Sequence, residues 1–379
     1  MPHYHRSYLT LMAARMLDGY NDKSECALEL PLNFFQDREV KYTSARRILD
    51  DIKKLVGEYV IHDHIPELDH HYPQTVQICS QTVTSFPKRV SDFISLPIVR
   101  RLGKITQLGL TMQIYPTATH TRLEHILGTF ANTARYCDAL WNDPINPIFR
   151  QIMCSRDIKA VLLAALCHDL GQYALAHDLE EADKNTFSHH DITERILNSE
   201  LGGKHSVALS TAMKAQWRVK PQGVLAILKA NPAIVSQPLK ARLLHTILDG
   251  PIDADKIDYL RRDAVNLNVP YGSGIDIERL VRCLTVVFKE TAPGTFITLG
   301  IHEKGKIPAE GVAFARYAMF GTVYWHHTVR AIKSMLHRAV WEALPGDADQ
   351  RITEYKSFKE NFDDFIFVSL SPLSRPVLL

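Results

Sequence analysis

The sequence predicts an all-α fold with one small peripheral β-hairpin, and three observations carry that expectation. Residues Ile158 to Leu170 read as a continuous apolar helix. Residues Lys240 to Leu260 repeat apolar side chains at three- and four-residue spacing, the mark of a helix with one buried stripe. From Gly311 to Glu342 the chain contains no proline, and Pro345-Gly346-Asp347 then ends the stretch. Against these helices stands one β-prone run, Phe296 to Ile301, followed by Lys304-Gly305-Lys306, which predicts a peripheral hairpin interrupting the helices.

Taken along the chain, residues 1–90 mix a helical stretch, Thr43 to Tyr59, with the Pro- and His-rich segment Ile61 to Pro73, and read as an N-terminal extension or subdomain. Residues 91–342 form the helical core, and 343–379 a C-terminal tail or partial element. No internal repeat or low-complexity tract interrupts the order.

With 44 Lys and Arg against 42 Asp and Glu, bulk charge gives no drive toward nucleic acid, so any basic site must be local. The six cysteines show no CxxC pairing and suit reduced thiols, which together with the absence of a leader pattern or a membrane-length apolar run predicts a cytoplasmic address. A chain of 379 residues buries a sizeable core without metal or disulfide staples. Function must therefore be read from local clusters.

Imidazole and carboxylate are the ligands that borderline and harder divalent ions accept. Cys167-His168-Asp169-Leu170-Gly171 closes the apolar helix, with Gly171 read as the chain reversal at its end. Side chains in a last helical turn can converge on an ion beyond it. His-Asp pairs also occur at His62-Asp63, read as a solvated turn, and at His177-Asp178. Two further segments combine ligand types with cations: Thr119 to Gly128, holding Arg122 and His125, and Ile252 to Asp263, holding Asp255, Lys256 and Arg262. Alone, the second is equally an exposed, salt-bridged helix face. Cations that would repel a metal attract phosphates, so the mixture points to phosphate chemistry.

Taken in order, His125, His168-Asp169 and Asp255 resemble the HD superfamily of metal-dependent phosphohydrolases. Gln107-Leu108-Gly109, Tyr115-Pro116, His120 to His125, Cys167 to Gly171 and Gly250 to Tyr259 look like its deoxynucleoside-triphosphate triphosphohydrolase branch, that of bacterial dGTPases and the animal SAM-and-HD-domain dNTPase. The resemblance covers roughly residues 95 to 335. It implies an HD helical core in which His125, His168, Asp169 and Asp255 hold one or two divalent ions, Mg, Mn, Fe or Zn. Such an ion activates water and polarises a phosphoryl oxygen. The substrate implied is a deoxynucleoside triphosphate, cleaved to deoxynucleoside and inorganic triphosphate.

The same resemblance makes His177 the first candidate for the proton donor to the leaving oxygen, with His189 a second family histidine and His190 its competitor. Glu180 either orients a catalytic histidine or is an ordinary exposed glutamate. Arg122, Lys256 and Arg316 are implied phosphate contacts. Gln107, Leu108, Tyr259, Asp263 and Tyr324 would line the deoxyribose, and His326 would meet the base edge. For Tyr324 to His327, plain helix packing is the competing reading.

Two positions depart from the family. Gln172, a candidate substrate contact, stands where the family has histidine, and Phe320 where a close relative does. Both bear on substrate identity and catalytic power. No Asp-Pro-Ile-His-Gly element precedes Leu96. The family further implies a homo-oligomer, leaves room for a nucleotide or nucleic-acid effector, and gives no membrane role. Another HD-type nucleotidase or phosphodiesterase, or a catalytically weak nucleotide- or nucleic-acid-binding module, are the alternatives.

Overall fold

A computed structural model describes residues 61–69, 75–76, 84–181, 188–291, 294–343 and 350. The helix expected over Thr43 to Tyr59, and the tail beyond 343 save residue 350, lie outside the described residues.

Helix formation begins with local chemistry. Helix α1 (Arg122–Trp141) starts at a capping box: the Thr121 hydroxyl accepts from Glu124 N at 3.3 Å, and Glu124 reaches back to Thr121 N at 3.4 Å. Helix α2 (Ser155–Cys167) buries Ile158, Leu162, Leu163 and Leu166 completely. Next come α3 (Ala176–Glu180), α4 (His189–Leu197, capped by Ser188), α5 (Lys204–Gln216), α6 (Pro221–Leu228) and α7 (Leu239–Leu248). Helix α8 (Ala254–Leu267) starts where Asp253 accepts from Lys256 N at 2.6 Å and stops at Asn268 in the left-handed region, φ 55°. Helix α1 packs against both α2 and α8, so the apolar stripes of three helices meet in one core.

Strands β1 (Leu284–Thr291) and β2 (Gly294–Ile301) pair antiparallel, Val286 opposite Leu299. The hairpin is present, but its partner strand precedes Phe296, and residues 303–305 form a 3-10 turn leading into α9 (Lys306–Met319). The inner face, Val286, Ile297 and Leu299, is buried, and β2 packs on α7.

The stretch from Gly311 to Glu342 is not one helix. A π turn, Phe320–Tyr324, separates α9 from α10 (His327–Ala343). No proline announces it. The Tyr324 hydroxyl donates to Asp263 Oδ2 at 2.7 Å, a tertiary bond invisible in local sequence.

The His62 segment is likewise helical and not a loop. Ile61–His64 is a helical turn whose Ile61 and following Ile65 are buried in the main core, and His62 Nε2 lies 3.0 Å from Asp138 Oδ1 on α1. Phe86, Val90 and Phe93 join the same core, so packing is continuous across residue 90.

Helix α2 ends at Cys167, with His168 as its C-cap. Gly171 does not adopt a left-handed backbone; its role is close approach. A Cβ there would run into the carbonyl oxygen of His189 and come within 2.6 Å of Thr193 N. Both obstacles are backbone atoms of α4 and cannot step aside. Gly171→Ala is expected to destabilise the protein by about 1–3 kcal/mol, read as a lowered urea midpoint, from forced overpacking. An unchanged midpoint would show that α4 is free to shift.

Candidate metal and catalytic site

Four side chains from three helix ends converge. His125 sits in the first turns of α1, His168 and Asp169 follow α2, and Asp255 lies in the first turn of α8. His125 Nε2 is 2.8 Å from Asp255 Oδ1 and 3.9 Å from Asp169 Oδ2. His168 Nε2 is 3.6 Å from Asp255 Oδ1 and 3.7 Å from Asp169 Oδ1. His168 Nδ1 donates to the Ala165 carbonyl at 2.8 Å, which turns the Nε2 lone pair toward the carboxylates.

This arrangement fits a divalent ion. His168 Nε2 is buried and carries no hydrogen bond, and buried polar atoms seldom go unsatisfied. Two nitrogens and two carboxylates form a donor set suited to zinc, manganese or iron. The ligand atoms of His125, His168 and Asp169 lie within 4.8 Å of one another.

Burial disfavours a charged His125, but Asp255 and Asp258 on its two nitrogens outweigh this and push its pKa up to about 10. His168 is also raised: burial works against charge, and Asp169 and Asp255 override it. Burial alone would raise Asp169, yet His168 and Arg122 hold it well below the usual carboxylate range. An ion and these protons therefore compete for the same atoms.

Three arginines organise the surroundings. Asp258 Oδ2 accepts from His125 Nδ1 at 2.8 Å, and the same carboxylate is gripped by Arg262 at 2.9 and 2.6 Å, all fully buried. Gly128 makes room for that grip, since a Cβ would occupy the space of Asp258. Arg122 Nη1 donates to Asp169 Oδ2 at 3.0 Å and its Nη2 to the Gln107 carbonyl at 2.9 Å. Arg101 donates to the carbonyls of Leu170 and Gln172, fixing the strap after Asp169. Burial pulls the Arg101 guanidinium down to about 10.

Beside the ligands stands a second group. Glu180 Oε2 is 3.1 Å from His177 Nδ1, and Glu180 Oε1 is 2.6 Å from His189 Nδ1. Burial would raise Glu180, but its bonds to His177 and His189 hold it far below the ordinary range. Glu180 is thus an ionised bridge between two rings, not a solvated glutamate. His189 is buried and His190 exposed, which separates these two neighbours. His189 Nε2 lies 3.6 Å from Asp169 Oδ1, joining the two groups.

All of this opens on a cavity of about 780 Å³, large enough for a nucleotide-sized ligand. Of the expected substrate residues, Gln107, Leu108, Arg122, Tyr259, Asp263 and Tyr324 line it. Asp263 is held on both oxygens, by His120 Nε2 at 2.8 Å and the Tyr324 hydroxyl at 2.7 Å. Four expected residues do not line it. Lys256 turns back to cap its own helix through Asp253, Nζ to Oδ2 2.7 Å. Arg316 is exposed and lies over the Phe320 ring, 5.1 Å from its centroid. His326 stacks on His327 at 4.5 Å and accepts from Thr328 N. Gln172 is completely buried behind the cavity, its Nε2 3.4 Å from Asp169 Oδ1 and 3.5 Å from His177 Nε2.

Sequence reasoning missed the roles of Asp258, His120, Arg101 and Lys333. Asp258 had a readable signal: it lies three residues after Asp255 and four before Arg262, one helix face. Lys333 on α10 had none. Its Nζ reaches Asp178 at 3.1 Å and Glu181 at 2.7 Å, anchoring α3 and its C-cap from 152 residues beyond Glu181 in sequence. Phe320 and Trp325, 5.3 Å apart, complete an aromatic wall with Tyr324.

Two outcomes follow from this geometry. Asp258→Asn keeps the shape but weakens the brace on His125, and is expected to lower metal affinity by about 10–100-fold in chelator competition. Affinity within threefold of the parent would sink the bracing role. Ion binding to His125 must expel a proton up to pH about 10, so affinity rises with pH and calorimetry in buffers of different ionisation enthalpy reads a proton release. A release of zero at pH 7 would contradict the ligand assignment.

Comparison with known proteins bears on the same segments. Residues 122–219 match the HD domain and residues 275–370 the HD associated region. An uncharacterized protein of Methanocaldococcus jannaschii is 28% identical over 280 residues, 74% of this chain and 51% of its own. The deoxynucleoside triphosphate triphosphohydrolase SAMHD1 homolog of Dictyostelium discoideum is 25% identical over 270 residues, 68% of this chain and 47% of its own. The chain spans about half the length of the curated relatives it matches. Among solved structures, a phosphohydrolase from Bacteroides thetaiotaomicron shares the fold at a TM-score of 0.56 and 24% identity, covering 78% of this chain and 69% of that one. A hypothetical protein from Aquifex aeolicus follows at 0.52 and 25%, covering 78% and 70%. No helix among the described residues is long and apolar enough to cross a membrane. Matched over both segments and folded like these relatives, the chain is an HD-domain protein that carries the HD-associated region.

Proposed function

We propose that the protein is a metal-dependent hydrolase that cleaves deoxynucleoside triphosphates to deoxynucleoside and inorganic triphosphate. The observation that carries this reading is the meeting, in one cavity, of a His125-His168-Asp169-Asp255 ligand set, a His177-Glu180-His189 proton-handling group and a Tyr259-Tyr324-Asp263 wall. The named activity of the Dictyostelium relative supports the choice of substrate.

A bound divalent ion would supply activated water and polarise the phosphoryl oxygen. The chain's own residues do the rest. Glu180 holds the His177 proton on Nδ1 and favours the imidazolium, while burial and Arg122 outweigh it and lower the His177 pKa, which makes the Nε2 proton easier to give to the leaving 5′ oxygen. Arg122, anchored on Asp169 and the Gln107 carbonyl, places its positive charge beside the reacting phosphorus. The phenols of Tyr259 and Tyr324 stay protonated, raised by burial and by Asp255 and Asp263 respectively, and so present hydroxyls rather than charge to a sugar. A packed aromatic face leaves a 2′ hydroxyl without a partner and disfavours ribonucleotides.

One observation favours a second reading, an HD-type nucleotidase or phosphodiesterase. Lys256 is turned into its own helix cap, and the lysines and arginines that line the cavity among the described residues, Arg122, Lys229 and Lys333, are each engaged by carboxylates. A substrate with fewer phosphate charges needs fewer free cations.

Incubating the protein with each dNTP and NTP in Mg²⁺ or Mn²⁺ and resolving the products separates the readings. Inorganic triphosphate from at least one dNTP is expected; orthophosphate or a linear nucleotide instead would select the second reading. His168→Ala and Asp169→Ala should each lose more than about a hundredfold, beyond the loss of an outer partner. His177→Ala should lower kcat by about 10²–10⁴-fold. Full activity in both ligand variants would refute the metal assignment. Binding of nucleotide without turnover in any metal would refute the enzyme.

A further inference from the structure

Helix α3 and its C-cap Glu181 present two pairs of side chains at three-residue spacing, His177 with Glu180 and Asp178 with Glu181. The first pair faces the ligand cluster through the bond from Glu180 to His189. The second is gripped by Lys333, whose Nζ lies 3.1 Å from Asp178 Oδ1 and 2.7 Å from Glu181 Oε1. Burial works against the Lys333 charge, but Glu181 and Asp178 outweigh it and raise its pKa.

Five residues are too few to hold a helix by themselves. Helix α3 has no side-chain cap, and it opens from Leu175 in the left-handed region, φ 60°, where leucine is strained. Its place must therefore be imposed from outside, and Asp178 is where the surroundings take hold. This carboxylate is buried, and its Oδ2 accepts from Leu110 N at 3.1 Å. The Asp178 carbonyl accepts from His337 Nε2 at 2.5 Å, one turn beyond Lys333 on α10. Gly109, at φ 50°, leaves the space, since a Cβ there would lie 2.3 Å from Asp178 Oδ2. One residue thus ties together three walls of the cavity: the 3-10 turn Gly109–Gln113 after Leu108, the helix of His177, and α10, which continues from Tyr324 and Trp325.

We propose that Lys333 is a positioning residue for proton transfer: by holding Asp178 and Glu181 it sets the rotation of α3 that brings His177 Nε2 to the leaving oxygen. The proposal rests on the hydrolase reading above. Lys333 acts through α3, because its ammonium is spent on two carboxylates. A helix this short turns about its axis once that grip is lost, and a displacement of about 1 Å at a reacting group costs on the order of a hundredfold in rate.

Lys333→Met removes the charge and keeps the length of the side chain. It is expected to lower kcat by about 10–100-fold with KM changed less than about threefold, and Lys333→Arg to recover most of that loss. In a His177→Ala background Lys333→Met should cost nothing further, because a residue that acts through His177 has nothing left to place. A merely structural role would lower kcat in both backgrounds. Asp178→Asn/Lys333→Met leaves no unpaired buried charge and should show the same pattern, which covers poor folding of the single variant. Independently of turnover, the His177 Cε1–H proton resonance, assigned by its loss in His177→Ala, should shift in Lys333→Met. A further loss in the His177→Ala background, or a His177 resonance that stays in place, overturns the proposal. A parent without turnover on any dNTP or NTP refutes the hydrolase reading, and the resonance still decides whether Lys333 places His177.

Discussion

A carboxylate removed from water must find positive charge close by, and the packing of the central helices follows from meeting that demand at Asp258. Arg262 sits one turn along α8 and closes on it with two hydrogen bonds, while His125 on α1 takes the second face of the same oxygen. The trio locks two helices at one distance and one rotation. Because Asp255 lies one turn earlier on α8, fixing Asp258 against α1 also fixes Asp255 against His125. The ligand geometry is therefore inherited from a buried ion pair that touches neither substrate nor solvent.

The same logic repeats outward. Arg122 neutralises Asp169, Arg101 satisfies the carbonyls of the strap behind it, and Lys333 binds Asp178 and Glu181 on the helix that carries His177. Each cation secures one segment that delivers a functional side chain. Side chains that resemble substrate contacts by charge alone are thereby drawn into structural work. Lys256 illustrates this: its ammonium lies 2.7 Å from Asp253 within its own helix cap.

Much of the fold was legible because its signals are local. The apolar run of α2 acts within a few residues, whereas Lys240 to Leu260, expected as one helical stripe, is divided by residues 249–253 into α7 and α8. The ligand candidates were legible as well, since His168 and Asp169 close a buried helix and Asp255 opens another. What sequence could not carry was long range. The π turn is held by Tyr324 on Asp263, 61 residues apart, and the contact of Gly171 with α4 depends on a backbone 18 to 22 residues later. Arg316 and His326 were placed by resemblance to a pattern; neither lines the cavity itself, though Arg316 packs on Phe320, which does.

That π turn has a consequence for how the pocket can vary. A π turn accommodates one residue more than the α-helical repeat around it, and a single residue in a helix is worth about 100° of rotation. Phe320, Tyr324 and Trp325 owe their facing to that extra residue as much as to their own chemistry. Losing or gaining one position there would swing the aromatic wall around the helix axis and leave the candidate ligands His125, His168, Asp169 and Asp255, on other helices, where they are. Helical register, rather than side-chain identity, is then the variable by which a chain of this architecture can change what it admits.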